Sequence, residues 1–175
     1  MTELKFEQGS PEWERLRKLA LSDLYFFNAV VLGYGDRLPM REHAHRLLCR
    51  FVEGRTGQPL LDDVRYRKLE LPRDWGKTTC VTQGFTIQRI CADPDTSILI
   101  ANEKEQNARD FLAAIKWQFE SNDLLRALFP EVIPKDFNDT VWSASRIMVN
   151  RTSGRKEPTV FVIGVGGTVT GMHPD

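Results

Sequence analysis

The most informative part of the chain is Leu69-Glu-Leu-Pro-Arg-Asp-Trp-Gly-Lys-Thr-Thr-Cys-Val-Thr-Gln83. Its apolar start predicts a strand, and a turn that contains Pro72 and Gly76 follows. Lys77 then opens a segment that is typical of a helix. A strand, a tight loop and a helix that begins with Gly-Lys-Thr are the parts of a phosphate-binding loop, because the unpaired N–H groups at a helix start attract anions.

The phosphate-loop interpretation assigns a role to each of its polar residues. Lys77 would contact the β- and γ-phosphates, and the hydroxyl of Thr78 would bind Mg²⁺. Thr79 either contacts a phosphate or simply begins the helix. The full set expected to bind the nucleotide is Pro72, Arg73, Asp74, Trp75, Gly76, Lys77, Thr78 and Thr79. Leu71 stands where the usual pattern has its first glycine, so an ordinary exposed turn before a surface helix is the alternative.

The composition is that of an ordinary globular protein. The 175 residues are enough for one domain with a real core, and 41% hydrophobic and 27% charged residues do not indicate disorder. Lys plus Arg and Asp plus Glu are both 24, which argues against a dedicated nucleic-acid-binding module but not against a local basic patch. Two basic clusters exist, and solvated surface charge is the simpler interpretation of each. They are Arg65, Arg67, Lys68 and Arg73, and then Arg146, Arg151, Arg155 and Lys156.

Cysteine usage and hydropathy predict a soluble intracellular protein. The three cysteines, Cys49, Cys80 and Cys91, form no Cys-x-x-Cys pair and no metal-ligand spacing, which favours buried thiols in a reducing compartment. The three histidines are too scattered for a zinc site. No run approaches the ~20 apolar residues of a membrane span, and no signal-peptide pattern is present.

Residues 1–60 predict a helical lead-in. Ser10-Pro11 is a good helix start, and an apolar stripe with spacings of three and four follows it as far as Phe27. Residues 33–36, with two glycines, would break that helix. A second helix is expected from Met40 or Arg41 to Glu53, and a Gly-Arg-Thr-Gly turn would end it. Its expected buried side chains are Ala44, Leu47, Leu48 and Phe51.

Residues 61–175 predict alternating strands and helices. Strands are expected at residues 64–71, 96–101, 140–142, 147–149 and 160–163, and helices at 77–90, around 108–119 and at 123–129. The fold class is therefore α/β, with a mostly parallel sheet flanked by helices as in P-loop NTPases. In such sheets ligands bind at the carboxyl ends of the strands. The phosphate loop, Asn102 and the glycines between residues 164 and 171 would meet there.

Several segments together resemble one family, the large terminase subunit of tailed double-stranded DNA phages. The loop of that family often lacks the first glycine and carries an early arginine, as in residues 72–79 here. Residues 98–108 resemble the next strand and helix, and residues 112–130 resemble the long helix with its Phe-Pro ending. Residues 142–149 and 164–175 resemble the approach to the second nucleotide motif. The resemblance covers roughly residues 23 to 175, and the combination is far more specific than any one part.

The resemblance implies a DNA-packaging ATPase that uses ATP and Mg²⁺. Lys77 and Arg73 would act in catalysis, with Arg73 neutralising charge on the γ-phosphate; its alternative is a salt bridge to Asp74 or to a neighbouring helix. Trp75 would shape the loop. The implied partners are double-stranded DNA, the capsid portal protein, the small terminase subunit and further copies in a homo-oligomeric ring. The implied location is the host cytoplasm, transiently on the procapsid and not in a membrane.

One departure from the family concerns the second motif, an apolar strand that ends in adjacent acidic residues. The family places it a few positions beyond Asp175. We therefore expect residues 61–175 to be an ATPase core truncated before that motif, which binds ATP with little or no hydrolysis and lacks the family's C-terminal nuclease. The alternatives are a P-loop DNA helicase or translocase, a nucleotide-binding assembly module that never hydrolyses ATP, and an interaction domain with an accidental Gly-Lys-Thr.

Four further assignments are weaker. The family contacts adenine near residues 39–46, so Arg41 or His43 would touch the base or merely cap a helix. Asn102 would sense the nucleotide, or it would cap the helix after it. The glycine segment from 164 to 171 would be a mobile DNA-facing or switch loop, or a set of tight turns. His173 has no visible partner and receives no role.

Overall fold

The computed structural model of the chain describes residues 7–37, 40–167 and 174. The expectations for Pro39, Gly171, His173 and Asp175 concern residues outside this described part. The chain forms two compact units, Met1–Gln88 and Arg89–Asp175. The proposed boundary at residue 60, between a helical lead-in and a nucleotide-binding core, stays a prediction.

The first unit is built from short helices. They are α1 (Pro11–Ser22), α2 (Leu24–Phe26), a π-helix that we call π1 (Phe27–Val31), α3 (Tyr34–Arg37), α4 (Glu42–Glu53), α5 (Pro59–Asp62) and a second π-helix, π2 (Thr78–Phe85), which continues as α6 (Thr86–Ala92). The predicted start is confirmed, because the Ser10 hydroxyl accepts a hydrogen bond from Trp13 N at 3.2 Å. Asp23 interrupts the expected single helix, since its carboxylate caps a new turn at Phe26 N at 2.9 Å.

The buried face of α4 differs from the predicted one. The helix ends at Gly54 in the left-handed conformation, as expected, but Leu47 is 63% exposed. Leu48 is buried as predicted, Ala44 and Phe51 are half-buried, and His45 and Cys49 are buried where Leu47 was expected. Positions three and four apart share one side of a helix, so burial of residues 45, 48 and 49 turns residue 47 away. The prediction that Leu47 is buried was wrong.

The predicted strand at residues 64–71 is also wrong. The segment forms no strand, and its side chains are exposed except for partial burial at Leu69 and Leu71. The guanidinium of Arg67 donates to Asp62 O at 2.6 Å, and Lys68 pairs with Glu70 at 2.6 Å. A strand needs a hydrogen-bonded neighbour, and the sheet of the described residues lies wholly in the second unit. An apolar pattern alone does not supply that neighbour.

The second unit contains β1 (Ile98–Asn102), α7 (Glu105–Ser121), α8 (Asp123–Leu128), β2 (Arg146–Ile147) and β3 (Val160–Gly164). The strand order is β1-β3-β2, with β1 parallel and β2 antiparallel to β3. Helix α7 packs on β1 and β3. The spacing of its apolar residues predicts one buried face of Ala108, Phe111, Leu112, Ile115 and Phe119, and all of these are buried except Phe111, which is half-buried. The mixture of helix and sheet is confirmed. The expected strand at 140–142 contributes only a bridge from Trp142 to Ile147.

Part of the second basic cluster stabilises a loop. The Asp95 carboxylate accepts hydrogen bonds from the Thr152 hydroxyl and from the backbone N–H groups of Thr152 and Ser153, and these lower the pKa of Asp95 to about 2. Arg155 donates to Asp95 O at 3.2 Å, and Arg151 donates to Thr159 Oγ1 at 3.1 Å. The guanidinium groups of Arg151 and Arg155 therefore form hydrogen bonds within the second unit.

A close contact joins the two π-helices of the first unit. Asn28 in π1 is fully buried, and its amide lies against Gly84 in π2. A Cβ placed on Gly84 would be 1.7 Å from Asn28 Oδ1, whereas real carbon and oxygen atoms cannot approach so closely. Only glycine at position 84 permits this approach.

Substitution of Gly84 by alanine therefore tests the packing of the first unit. Helix propensity alone would stabilise the variant by about 0.5–1 kcal/mol. The overlap with Asn28 costs more, and we expect a net loss of about 1–3 kcal/mol in the free energy of unfolding, measured in urea. Gly154→Ala is the matched control, because nothing lies within 4 Å of its new Cβ. An equal effect of the two substitutions would contradict the packing argument.

Candidate phosphate-binding site

The eight residues predicted to bind the nucleotide surround one cavity of about 500 Å³. The cavity is lined by Pro72, Arg73, Asp74, Trp75, Gly76, Lys77, Thr78 and Thr79. They run from the end of the exposed segment 64–71 to the start of π2. The structure thus brings the whole predicted set together around one concave surface, and their role in binding stays a prediction.

The backbone of this loop is strongly curved. Asp74 has φ +63° and Gly76 has φ +67°, both in the left-handed region that side chains disfavour. Among the described residues, Asp74 alone adopts a positive φ without being glycine. Curved backbone of this kind leaves successive N–H groups on a concave side, and the first N–H groups of a helix lack intrahelical partners. Both effects favour an anion in the cavity.

The cationic side chains of the loop have different surroundings. Lys77 is half-buried, and its ammonium donates a hydrogen bond to the carbonyl of Leu71, at the other end of the loop. Arg73 is exposed. Within the described part of the chain, no ion pair joins Arg73 to Asp74, so that alternative for Arg73 is not realised. The hydroxyls of Thr78 and Thr79 are half-buried at the start of π2.

His45, to which the sequence assigned no role, packs against the buried side of the loop. His45 is 8% exposed, and its Nδ1 lies 3.0 Å from Arg41 O. Because a carbonyl only accepts, Nδ1 is the donor in this hydrogen bond. Nε2 lies 3.3 Å from the position of a Cβ on Gly76. The ring therefore packs directly beneath the glycine of the Gly-Lys-Thr sequence.

Of the two residues expected near the adenine, Arg41 lines a cavity beside the loop and His43 does not. Arg41 and His45 line a small cavity of about 130 Å³ together with Asp74 and Trp75. His43 is exposed and lines neither this cavity nor the loop cavity. The spacing of four between residues 41 and 45, one helical turn, is the signal that could have identified His45.

A larger apolar cavity of about 510 Å³ adjoins the same region of the first unit. His45 and Trp75 border it, and its apolar lining is Ala44, Leu47, Leu48, Phe51, Leu61, Leu69 and Leu71. The exposed Leu47 thus faces this cavity and not open surface alone. Trp75, 41% exposed, borders all three cavities, which agrees with its expected part in shaping the loop.

The cysteines are buried and free, as the spacing predicted. Cys80 directly follows Thr79 in π2, and Cys49 lies on α4. The neighbouring Cys80 thiol, together with burial, raises the pKa of the Cys49 thiol. The neighbouring Cys49 thiol lowers the pKa of Cys80. The two buried thiols therefore lie close to each other, between α4 and the start of π2.

In the second unit, Asn102 and the glycine segment have local structural roles. Asn102 Oδ1 accepts hydrogen bonds from Lys104 N and from Asn107 Nδ2, each at 3.1 Å, and so stabilises the turn before α7. The N-cap of α7 is Lys104, and no side chain caps this helix, so the expected capping role of Asn102 is not realised. Gly164 ends β3, and Gly167 N donates to Gly164 O at 2.9 Å in a tight turn. The tight-turn interpretation holds for residues 164–167. A meeting of these residues with the loop stays a prediction.

Metal and membrane sites were sought in residues 7–37, 40–167 and 174. No cluster of three or more His, Cys, Asp or Glu side chains there could hold a metal ion. None of the helices in the same residues is both long and apolar enough to cross a membrane. Comparison of the chain with protein-family models, with curated proteins and with solved structures gave no match.

Two glycines of the first unit test the support beneath the loop. Gly76 and Gly57 both have positive φ, +67° and +81°, so alanine at either costs about 1–2 kcal/mol. At Gly76 the new Cβ also presses on His45, whereas nothing lies within 4 Å at Gly57. We expect Gly76→Ala to lose about 1 kcal/mol more than Gly57→Ala, because the hydrogen bond of His45 to Arg41 O is disturbed. Urea unfolding of both variants measures this, and equal losses would contradict it.

Proposed function

We propose that residues 72–79 bind the phosphates of ATP together with Mg²⁺, and that the chain is the ATP-binding part of a phage terminase large subunit. The observation that carries the proposal is the single cavity of about 500 Å³ that all eight residues line. Its size falls within the range of small-molecule sites in proteins. Its curved backbone and helix start favour an anion.

Lys77 is the main phosphate ligand in this proposal. Its ammonium now bonds to the neutral carbonyl of Leu71, within the same loop. A phosphate oxygen is a charged acceptor and forms the stronger hydrogen bond, so Lys77 would exchange one partner for the other without leaving the loop. The short link from Leu71 to Lys77 thus keeps the ammonium close to the phosphate position before binding.

Thr78 supplies the protein oxygen for the metal ion. Mg²⁺ prefers oxygen ligands and is commonly bound by few protein groups together with substrate phosphates. Thr78 lines the cavity, and its hydroxyl fits that chemistry. When bound, the ion would neutralise charge on the β- and γ-phosphates. No larger protein cage is needed for this role.

Arg73 is proposed to stabilise charge during phosphoryl transfer to water. Its guanidinium is exposed at the cavity and forms no ion pair with Asp74 in the described structure, so it can turn toward the γ-phosphate at little cost. Of the eight lining residues only Asp74 is acidic, and the glutamate that activates water in the family is not among them. This observation favours a second candidate, a nucleotide-binding module that does not hydrolyse ATP.

The wider role rests on the sequence resemblance alone. Translocation of double-stranded DNA, docking on the capsid portal protein, contact with the small terminase subunit and assembly into a ring belong to the proposal for the complete protein. The host cytoplasm and the procapsid are its proposed locations. Nucleotide binding by the loop is the step on which all of these depend.

Binding is tested first by titration calorimetry with MgATP. We expect Lys77→Ala to raise the Kd at least about tenfold, a loss of about 1.4 kcal/mol, because a charge-assisted bond to phosphate is removed. Lys104→Ala is the matched control, since Lys104 is an exposed lysine of the second unit, and its Kd should stay within about twofold. Circular dichroism checks the fold of both variants. Equal affinities for Lys77→Ala and the unaltered protein would refute the phosphate loop.

Hydrolysis is tested separately, by release of inorganic phosphate. Where the unaltered protein releases phosphate at a measurable rate, we expect Arg73→Ala to keep the Kd for MgATP within about threefold while phosphate release falls by about 10²–10³-fold, because the arginine acts on transition-state charge. Arg65→Ala, in the same basic cluster, should leave both quantities unchanged. An unaltered rate for Arg73→Ala would exclude the catalytic role. Tight binding without any release by the unaltered protein would favour the non-hydrolysing module.

A further inference from the structure

The buried amide of Asn28 is only partly satisfied. Asn28 has no exposed surface and lies in π1. Its Nδ2 donates to Cys80 O at 3.2 Å and contacts Cys49 Sγ at 3.8 Å. Its Oδ1 finds no hydrogen-bond partner among the described residues. A carbonyl oxygen buried in this way costs about 1–3 kcal/mol of stability.

The orientation of this amide follows from its neighbours. Cys80 O is an acceptor, so the nitrogen of Asn28 must face it, and the oxygen must then face Gly84. A leucine has the same number of side-chain heavy atoms as asparagine, so it would remove the unsatisfied oxygen and also the hydrogen bond to Cys80 O. The cost of the unsatisfied oxygen offsets the gain from that hydrogen bond, so the amide adds little net stability.

The amide of Asn28 is hydrogen-bonded to the backbone at the start of π2, directly after the loop. Cys80 N donates to Gly76 O at 2.7 Å, while Cys80 O accepts from Asn28. Both ends of this residue are thus held, one by the loop glycine and one by π1. The segment Thr78–Phe85 is a π-helix, a wider turn that costs energy and is frequent at functional sites. The hydrogen bond from Asn28 to Cys80 O stabilises the backbone of π2 against relaxation to the narrower α-helix.

We propose that Asn28 is a positioning residue for the phosphate site: by holding the carbonyl of Cys80, it fixes the start of π2 and directs the N–H groups of Thr78 and Thr79 into the cavity. The proposal rests on the phosphate site proposed above. Asn28 does not line the cavity and makes no contact with the nucleotide in this role. The unsatisfied oxygen of Asn28 lowers the stability of the protein, and the positioning of π2 raises its affinity for phosphate.

The test compares affinity with stability in Asn28→Leu. Gln88→Met is the matched control, because Gln88 is an equally buried amide of the first unit whose Nε2 donates to Ala20 O at 2.9 Å, and it does not line the cavity. The probes are MgATP and magnesium tripolyphosphate, titrated at a temperature where circular dichroism shows each variant fully folded. Thermal unfolding of the same samples gives the Tm.

For Asn28→Leu we expect a Kd about tenfold higher for both probes, with a Tm that is unchanged or raised. For Gln88→Met we expect a lower Tm with an unchanged Kd. A rise of threefold or more that is confined to Asn28→Leu supports the positioning role. A smaller rise, or an equal rise in Gln88→Met, would overturn it.

Two further comparisons distinguish failure of the positioning role from misfolding of Asn28→Leu and from failure of the phosphate site. If Asn28→Leu does not fold, Asn28→Ala and Gln88→Ala replace the pair, and the same threefold limit applies. The unaltered protein and Lys77→Ala are titrated alongside. If the unaltered protein binds neither probe, the phosphate site fails and the positioning role falls with it. If it binds and Asn28→Leu binds equally well, only the positioning role fails.

Discussion

The contact between Asn28 and the backbone of π2 is the constraint on which the first unit depends. It joins residues 56 positions apart in the chain, and it exists because Gly84 has no side chain in the way. The same amide donates to Cys80 O and contacts Cys49 Sγ on α4. Three helical segments therefore converge on one small polar cluster beneath the loop. A polar cluster that contains an unsatisfied oxygen adds little to the free energy of unfolding. Its main effect is to fix the positions of the three helical segments.

The loop itself combines an exposed surface with a rigid support. Its outer residues face solvent, where a ligand can enter, while Gly76 rests on the buried ring of His45. His45 is in turn held by Arg41 O, one turn earlier on α4. Functional loops commonly combine mobility toward the ligand with a fixed base on regular structure. Here the base is provided by α4, which the sequence placed in the helical lead-in and whose first residues were expected to lie near the adenine.

The exposed segment 64–71 shows how far local pattern can mislead. Alternating apolar and charged residues predicted a strand, but a strand exists only where another backbone accepts its hydrogen bonds. Within the described residues that neighbour is missing, and the segment is held instead by Arg67 on Asp62 O. Its apolar side chains Leu69 and Leu71 line the cavity of about 510 Å³ beside α4. The apolar side chains Leu69 and Leu71 are partly shielded from water, whereas Val64 and Tyr66 are exposed, so the pattern was wrong about these two residues as well as about the strand.

Features that depend on a few neighbouring residues could be predicted from the sequence. The Ser10 cap, the Gly54 helix end, the buried face of α7 and the grouping of residues 72–79 are of this kind, because each is set by hydrogen bonds or side-chain spacing within a few positions. The wide turn of π2, the place of His45 under Gly76 and the absence of a strand at 64–71 were not predictable in this way. Each depends on partners far away in the chain, such as Asn28 for Gly84, and packing chooses those partners after the local structure has formed.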